Sequence, residues 1–141
     1  MKNKHIAIIQ SRMGSTRYPG KSMVKIARKP LIWHIVHRLK KSSRLSRIYL
    51  ATSVSPENDI LAKYASGLGV EVFRGSEDNV FSRFESIIGS SGPSTITRVC
   101  GDCPLIDTSF IDRVLDIFEK KGVDIVKADR DRSIHQGINI F

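Results

Sequence analysis

The first fifty residues contain no aspartate and no glutamate. Thirteen lysines and arginines stand there unopposed, and the first acid is Glu57. All fourteen acids and the other ten bases come later, so the formal net charge of +9 is +13 in the first fifty residues and −4 beyond them. A field this uneven steers anions toward one region. Cysteine is scarce too. Cys100 and Cys103 permit one bridge at most, which excludes a disulfide framework and fits a reducing compartment. No apolar stretch approaches the roughly 20 residues needed to cross a bilayer, and Met1 to Gln10 offers only four apolar residues in a row, too few for a signal-peptide core. A cytoplasmic protein without a membrane partner is expected. Repeats and low-complexity tracts are absent. No stretch interleaves aromatics with basic residues, so nucleic acid is not the expected partner. With 141 residues and 40% apolar content, residues 1–141 suit a single domain with a substantial core.

Against these absences, residues 6 to 21 are rich in information. Ile6 to Ile9 reads as a short strand buried on both faces. It runs into a loop that carries Gly14, Gly20, Arg12, Arg17, Lys21 and several hydroxyls. Glycines let backbone N–H groups approach an anion, and the three cations supply charge that phosphate oxygens can share. The P-loop pattern G-x-x-x-x-G-K-[ST] is missed by one residue, since five residues separate Gly14 from Gly20. A P-loop also needs a helix to start at its Lys-Ser, whereas Ser22 to Ile26 alternates like an extended segment. The other cations of the first fifty residues, Lys29, Arg38, Lys40, Lys41, Arg44 and Arg47 among them, admit two readings: part of the same anion field, or a solvated helical face.

Strand and helix patterns then take turns. Pro30 sits where a first helical residue would, before Leu31, Ile32, Ile35, Val36 and Leu39, and that helix is expected to end near Ser42. Ile48 to Thr52 predicts a second strand. A second helix opens at Ser55-Pro56 with Ile60, Leu61, Tyr64 and Leu68 inward, and stops at Gly69. Val70 to Phe73 follows as a strand, then a helix over Asn79 to Gly89 with Val80, Phe81, Phe84, Ile87 and Ile88 inward. Thr95 to Val99 is the fourth strand. A fourth helix spans about Thr108 to Lys121, and Val123 to Val126 is the fifth strand. Such alternation implies right-handed βαβ units in a three-layer α/β/α sandwich with a mostly parallel sheet. Ligands of these sheets sit beyond the carboxyl ends of the strands, where the strand order reverses.

One of those ends holds Cys100-Gly101-Asp102-Cys103-Pro104. Asp102 has two readings: a carboxylate that holds Mg²⁺ against phosphates, or a turn residue bonding local backbone N–H groups. Asp107 reads as the cap of the fourth helix. The C-x-x-C spacing invites zinc or redox chemistry, but there is no second ligand pair for zinc. The following helix also starts too late to activate a thiol. The histidines carry no assignment, and Trp33 reads as a core or interface residue.

Four segments, Ile9 to Lys21, Ala51 to Ser53 with Pro56 to Asp59, Phe73 to Asp78 and Gly101 to Asp107, together resemble the spore coat polysaccharide biosynthesis protein F family. That family is similar to the acylneuraminate and deoxy-octulosonate cytidylyltransferases. The resemblance implies a nucleotide-diphospho-sugar transferase (GT-A-like) fold. It also implies nucleotidyl transfer from CTP, or a related nucleoside triphosphate, to a sugar or sugar acid in coat or cell-surface polysaccharide biosynthesis. Pyrophosphate would leave. By the same resemblance Arg12 and Lys21 are catalytic, and Gln10, Met13, Gly14, Ser15, Arg17, Arg74, Gly75 and Ser76 approach the nucleotide. Backbone amides from Met13 to Ser15 add donors, and Asp102 holds Mg²⁺. Family members continue past the position of Phe141 into a half that supplies acceptor contacts, dimer contacts and a further carboxylate. The resemblance thus implies a missing C-terminal half, apolar surface that a homodimer would cover, and Asn139 where that acid stands. Two readings follow, an enzyme or a truncated nucleotide-binding module without turnover.

Overall fold

Ile6, Ala7, Ile8 and Ile9 have no solvent-exposed surface, and the sheet is built outward from them. The computed structural model describes residues 4–127 and 138–140. They form strands β1 (His5–Gln10), β2 (Lys25–Ile26), β3 (Lys29–Pro30), β4 (Leu45–Ser53), β5 (Glu71–Gly75), β6 (Thr95–Cys100), β7 (Val126–Lys127) and β8 (Ile138–Ile140). The helices are α1 (Leu31–Leu39), α2 (Asp59–Gly67), α3 (Val80–Ser91) and α4 (Thr108–Lys121). The main sheet runs β5-β4-β1-β6-β8-β7. Its first four strands are mutually parallel, and β8 pairs antiparallel with both β6 and β7.

Alternation along β1 divides the core between two faces, because successive side chains of a strand point to opposite sides. Ala7 and Ile9 join Ile32, Ile35 and Leu39 of α1, Leu61 and Ala65 of α2, and Ile111 and Leu115 of α4. Ile6 and Ile8 join Tyr49, Ala51 and Ile87, the last from α3. The expected three layers and mostly parallel sheet are present. The reason α1 is a helix lies in its stripe of Leu31, Ile32, Ile35, Val36 and Leu39, all buried. α4 is capped by Asp107, whose Oδ1 accepts from the Ser109 and Phe110 amides at 2.9 and 3.4 Å.

Several sequence expectations need correction. Pro30 precedes the helix as the end of β3, and Lys21–Met23 forms a 3-10 turn before the β2–β3 hairpin. Pro56–Asn58 is likewise a 3-10 turn ahead of α2. On α2 the buried residues are Leu61, Ala62 and Ala65, whereas Ile60 is exposed; on α3 they are Arg83, Ile87 and Ser91, whereas Phe81 is exposed. Both misreadings follow from counting every apolar residue as inward on a helix whose buried stripe is narrow. The fifth strand shrinks to Val126–Lys127, and β8 intervenes between it and β6. Of the segment His135 to Phe141, only 138–140 lies within the described residues. Among the described residues, no helix is long and apolar enough to cross a membrane.

The wider basic face resolves in favour of intramolecular contacts for three of its members. Arg44 pairs with Asp116 and Glu119, Lys40 Nζ donates to the Leu68 carbonyl, and Arg47 lies 3.5 Å from Glu71. Lys29 lies 5.6 Å from the ring centre of Trp33, which stacks on His37.

Since β1 is the strand on which both faces of the core converge, Ile9→Ala should cost about 2–5 kcal/mol of stability. Urea unfolding monitored by circular dichroism measures this, and a loss below about 1 kcal/mol would contradict the placement of the core.

Candidate active site

The chain leaves β1 toward β4 and β5 and then crosses back to β6 on the other side of β1. Strand order therefore reverses between β1 and β6, and the loops that follow these two strands flank a crevice. Its volume is about 480 Å³. Gly101 holds the two loops together. Its N–H donates to the Gln10 carbonyl at 2.9 Å, and a Cβ there would lie 2.4 Å from Ser11 Cβ and 2.7 Å from the Gln10 oxygen. Asp102 is thereby set against the first loop.

The first loop has its own internal supports. Gly20 takes φ +75°, a region that favours glycine, and its N–H donates to the Met13 carbonyl at 2.8 Å. Asn58, fully buried, receives the Met13 amide on Oδ1 at 2.8 Å and donates from Nδ2 to Ser53 Oγ at 2.7 Å. The Ser11 and Ser22 hydroxyls lie 2.6 Å apart beneath the loop. These contacts fix the loop so that its cations face the crevice.

Two ion pairs cross that crevice. Lys21 Nζ is 2.9 Å from Asp102 Oδ2, joining the loops after β1 and β6. Arg12 Nη1 is 2.6 Å from Glu77 Oε1, joining the loops after β1 and β5. The hydrogen bond from Lys21 holds the Asp102 carboxyl below its ordinary range. The Ser53 hydroxyl, with Arg12 second, does the same for Glu77. Behind them lies Arg83, 1% exposed and lining the crevice; burial lowers its pKa, and its Nε has no hydrogen-bond partner. Arg98 donates from Nε and Nη2 to Gln10 Oε1 at 3.0 and 2.9 Å, which turns the Gln10 NH₂ away from that contact. Such a crevice, cationic but with an ionised carboxylate at either end, suits a polyanion accompanied by a cation.

Residues 6–136 match the cytidylyltransferase family. The chain belongs to that family. It is 36% identical over 126 residues to the spore coat polysaccharide biosynthesis protein SpsF of Bacillus subtilis, a match covering 86% of this chain and 52% of the relative. It is 33% identical over 111 residues to the 3-deoxy-manno-octulosonate cytidylyltransferase of Geobacter sulfurreducens, covering 77% of this chain and 43% of that one. The structure of a cytidylyltransferase from Leptospira borgpetersenii matches with a TM-score of 0.88 at 29% identity, over all of this chain and 60% of the other. The chain spans about half the length of the curated relatives it matches.

In this cytidylyltransferase-family chain, the crevice brings together Gln10, Arg12, Ser15, Arg17, Lys21 and Asp102. Met13, Gly14, Arg74, Gly75 and Ser76 are not among its lining residues. Arg74 is committed elsewhere: it donates to the Ser53 and Ser55 carbonyls at 3.0 Å each and pairs with Asp59 at 2.7 Å. Ser76 Oγ accepts from the Asn79 amide at 3.1 Å ahead of α3. The Met13 and Ser15 amides, expected to face a ligand, are bonded to Asn58 and to the Met13 carbonyl. Charge on side chains, more than backbone donors, therefore dominates the site. The thiol of Cys103 is pushed up to about 11 by burial and by Cys100 beside it, which removes the thiolate that redox chemistry needs.

Sequence reasoning missed Asn58, Glu77, Arg83 and Arg98. Arg83 left a signal, since it lies four residues before Ile87 on the buried stripe of α3, where a charge is out of place. Arg98 left another, two residues before Cys100 on the same face of β6.

Gly101→Ala should destabilise the chain by about 1–3 kcal/mol, because its neighbours are backbone and a short side chain that cannot swing aside. Thermal or urea unfolding checks this, and a variant as stable as the wild type would contradict the close approach of the two loops.

Proposed function

We propose that the chain binds CTP with Mg²⁺ in this crevice and serves cytidylyl transfer to a sugar acid in polysaccharide biosynthesis. The observation that carries the reading is the convergence of Arg12, Arg17, Lys21 and Asp102 on one crevice from two loops held in contact by Gly101. An acceptor hydroxyl would attack the α-phosphorus, and pyrophosphate would leave. That chemistry asks for alignment and charge neutralisation, not for a protein nucleophile.

In this reading Lys21 and Arg12 exchange their carboxylate partners for phosphate oxygens. Asp102 fits a divalent cation, being ionised and on the crevice wall, and Mg²⁺ needs only one or two protein carboxylates beside phosphates and water. Among the described residues no cluster of three or more His, Cys, Asp or Glu would hold a metal by itself, so the substrate's phosphates would complete the coordination. Mg²⁺ supplies Lewis-acid neutralisation of the phosphates when bound. Arg17 and the Ser15 hydroxyl remain to orient the phosphate tail. A nucleotide donor and two free cysteines fit a cytoplasmic site of action.

Calorimetric titration with CTP and Mg²⁺, paired with a pyrophosphate-release assay on 3-deoxy sugar acids, tests the proposal. Binding together with release is expected. Binding without release would make the chain a nucleotide-binding module, and no binding would end the reading. Lys21→Ala should weaken CTP binding about 10- to 100-fold, since a hydrogen bond to a charged group is lost. Its folding stability should change by no more than about 1 kcal/mol, because the Lys21–Asp102 pair is half exposed. Asp102→Asn should weaken CTP binding in the presence of Mg²⁺ and spare binding in its absence. Equal losses under both conditions would leave Asp102 a mere turn residue.

A further inference from the structure

A triphosphate pocket has no use for a carboxylate unless something positive or hydrogen-donating meets it. The cation accounts for Asp102. Glu77 is unaccounted for. It follows β5, and β4 and β1 separate β5 from β6, so the strands that deliver Glu77 and Asp102 lie about 14 Å apart at the usual strand spacing. Such a separation suits the two ends of a nucleoside triphosphate, with phosphates toward Asp102 and the base toward Glu77.

The position of Glu77 is built. Arg83 Nη2 donates to its carbonyl at 3.3 Å, and the stem of Arg83 packs where Gly75 leaves room, since a Cβ at Gly75 would lie 2.8 Å from Arg83 Cγ. The Glu77 side chain is only 33% exposed, and Arg12 is its ion-pair partner. When Arg12 turns to a phosphate, that carboxylate loses its ion-pair partner and is left with the Ser53 hydroxyl, and a half-buried charge short of donors is costly. The same wall holds Arg83 Nε, a buried donor without a partner, which marks it as a surface that a ligand completes.

Pyrimidines differ at the edge such a wall would meet. Cytosine presents an exocyclic amine at C4, whereas uracil presents a carbonyl oxygen. We propose that Glu77 reads the base: its carboxylate accepts from the amine of cytosine and repels the O4 of uracil, so that the crevice selects CTP over UTP. This inference rests on the nucleotide-binding reading above. The repulsive half of the contact supplies as much selectivity as the attractive half, because a desolvated oxygen facing an anion has no partner.

The test is calorimetric titration of the full chain with CTP and with UTP, each with Mg²⁺, before and after Glu77→Gln. Wild type should prefer CTP by about tenfold or more, and the variant by no more than about threefold, through a gain in UTP binding. A glutamine amide can donate to O4, which is why the preference should narrow. If Glu77 only parks Arg12, both nucleotides change alike and the ratio persists, which overturns the proposal. A measurement on the unaltered protein stands beside it: the triphosphate of pyrimidin-2-one riboside, which lacks the amine, should bind about tenfold more weakly than CTP. Affinity equal to that of CTP would overturn the base assignment, as would a wild type that binds CTP and UTP equally. A wild type that binds neither nucleotide would remove the nucleotide site itself, and this inference with it.

Discussion

The complete burial of Ile6 to Ile9, the centre of β1, is the constraint on which the rest depends. A strand flanked by parallel neighbours and covered on both faces must be apolar throughout, and Ile6 to Ile9 meet that demand with no exposed surface. After them Gln10, polar and only partly buried, is the point where the chain escapes the core. Because strand order reverses beside it, that point opens onto the crevice between β1 and β6. The position of the functional loop is thus a consequence of packing. Gly101 completes the arrangement by letting the loop after β6 touch the one after β1.

The charge asymmetry of the sequence acquires a structural meaning at the same place. The cations of the first fifty residues meet acids from the later part of the chain, and two of those meetings span the crevice. Arg12 with Glu77 and Lys21 with Asp102 keep like charges from facing one another in the absence of ligand. Both pairs are partly exposed, so each adds little to stability. Their value lies in keeping cations and carboxylates where a triphosphate and its counter-ion would need them. Arg44, just before β4 and not among the crevice-lining residues, meets Asp116 and Glu119 of α4.

Much of the architecture was legible because it rests on local rules. The limits of α4 follow from Asp107 at its start and from the apolar spacing of Ile111, Val114 and Leu115. The candidate phosphate loop follows from glycines and cations behind a buried strand. What escaped depends on long-range contact. Asn58 acts through Met13, 45 residues away in sequence, and no local pattern reports such a bond. β8 enters the sheet antiparallel between β6 and β7, and three residues are too few to leave a periodic signal. Arg83 was hidden by the assumption that a buried stripe is apolar. Two of the three expected amide donors escaped for a related reason: the Met13 and Ser15 N–H groups serve the loop's own shape.

The central claim is that the crevice cations trade carboxylate partners for phosphate. A crystal structure with CTP and Mg²⁺ tests it most directly. The account predicts phosphates within hydrogen-bond distance of Arg12 and Lys21, the cation on Asp102, and both ion pairs opened. A nucleotide bound elsewhere, or bound in the crevice with both pairs intact, would contradict it.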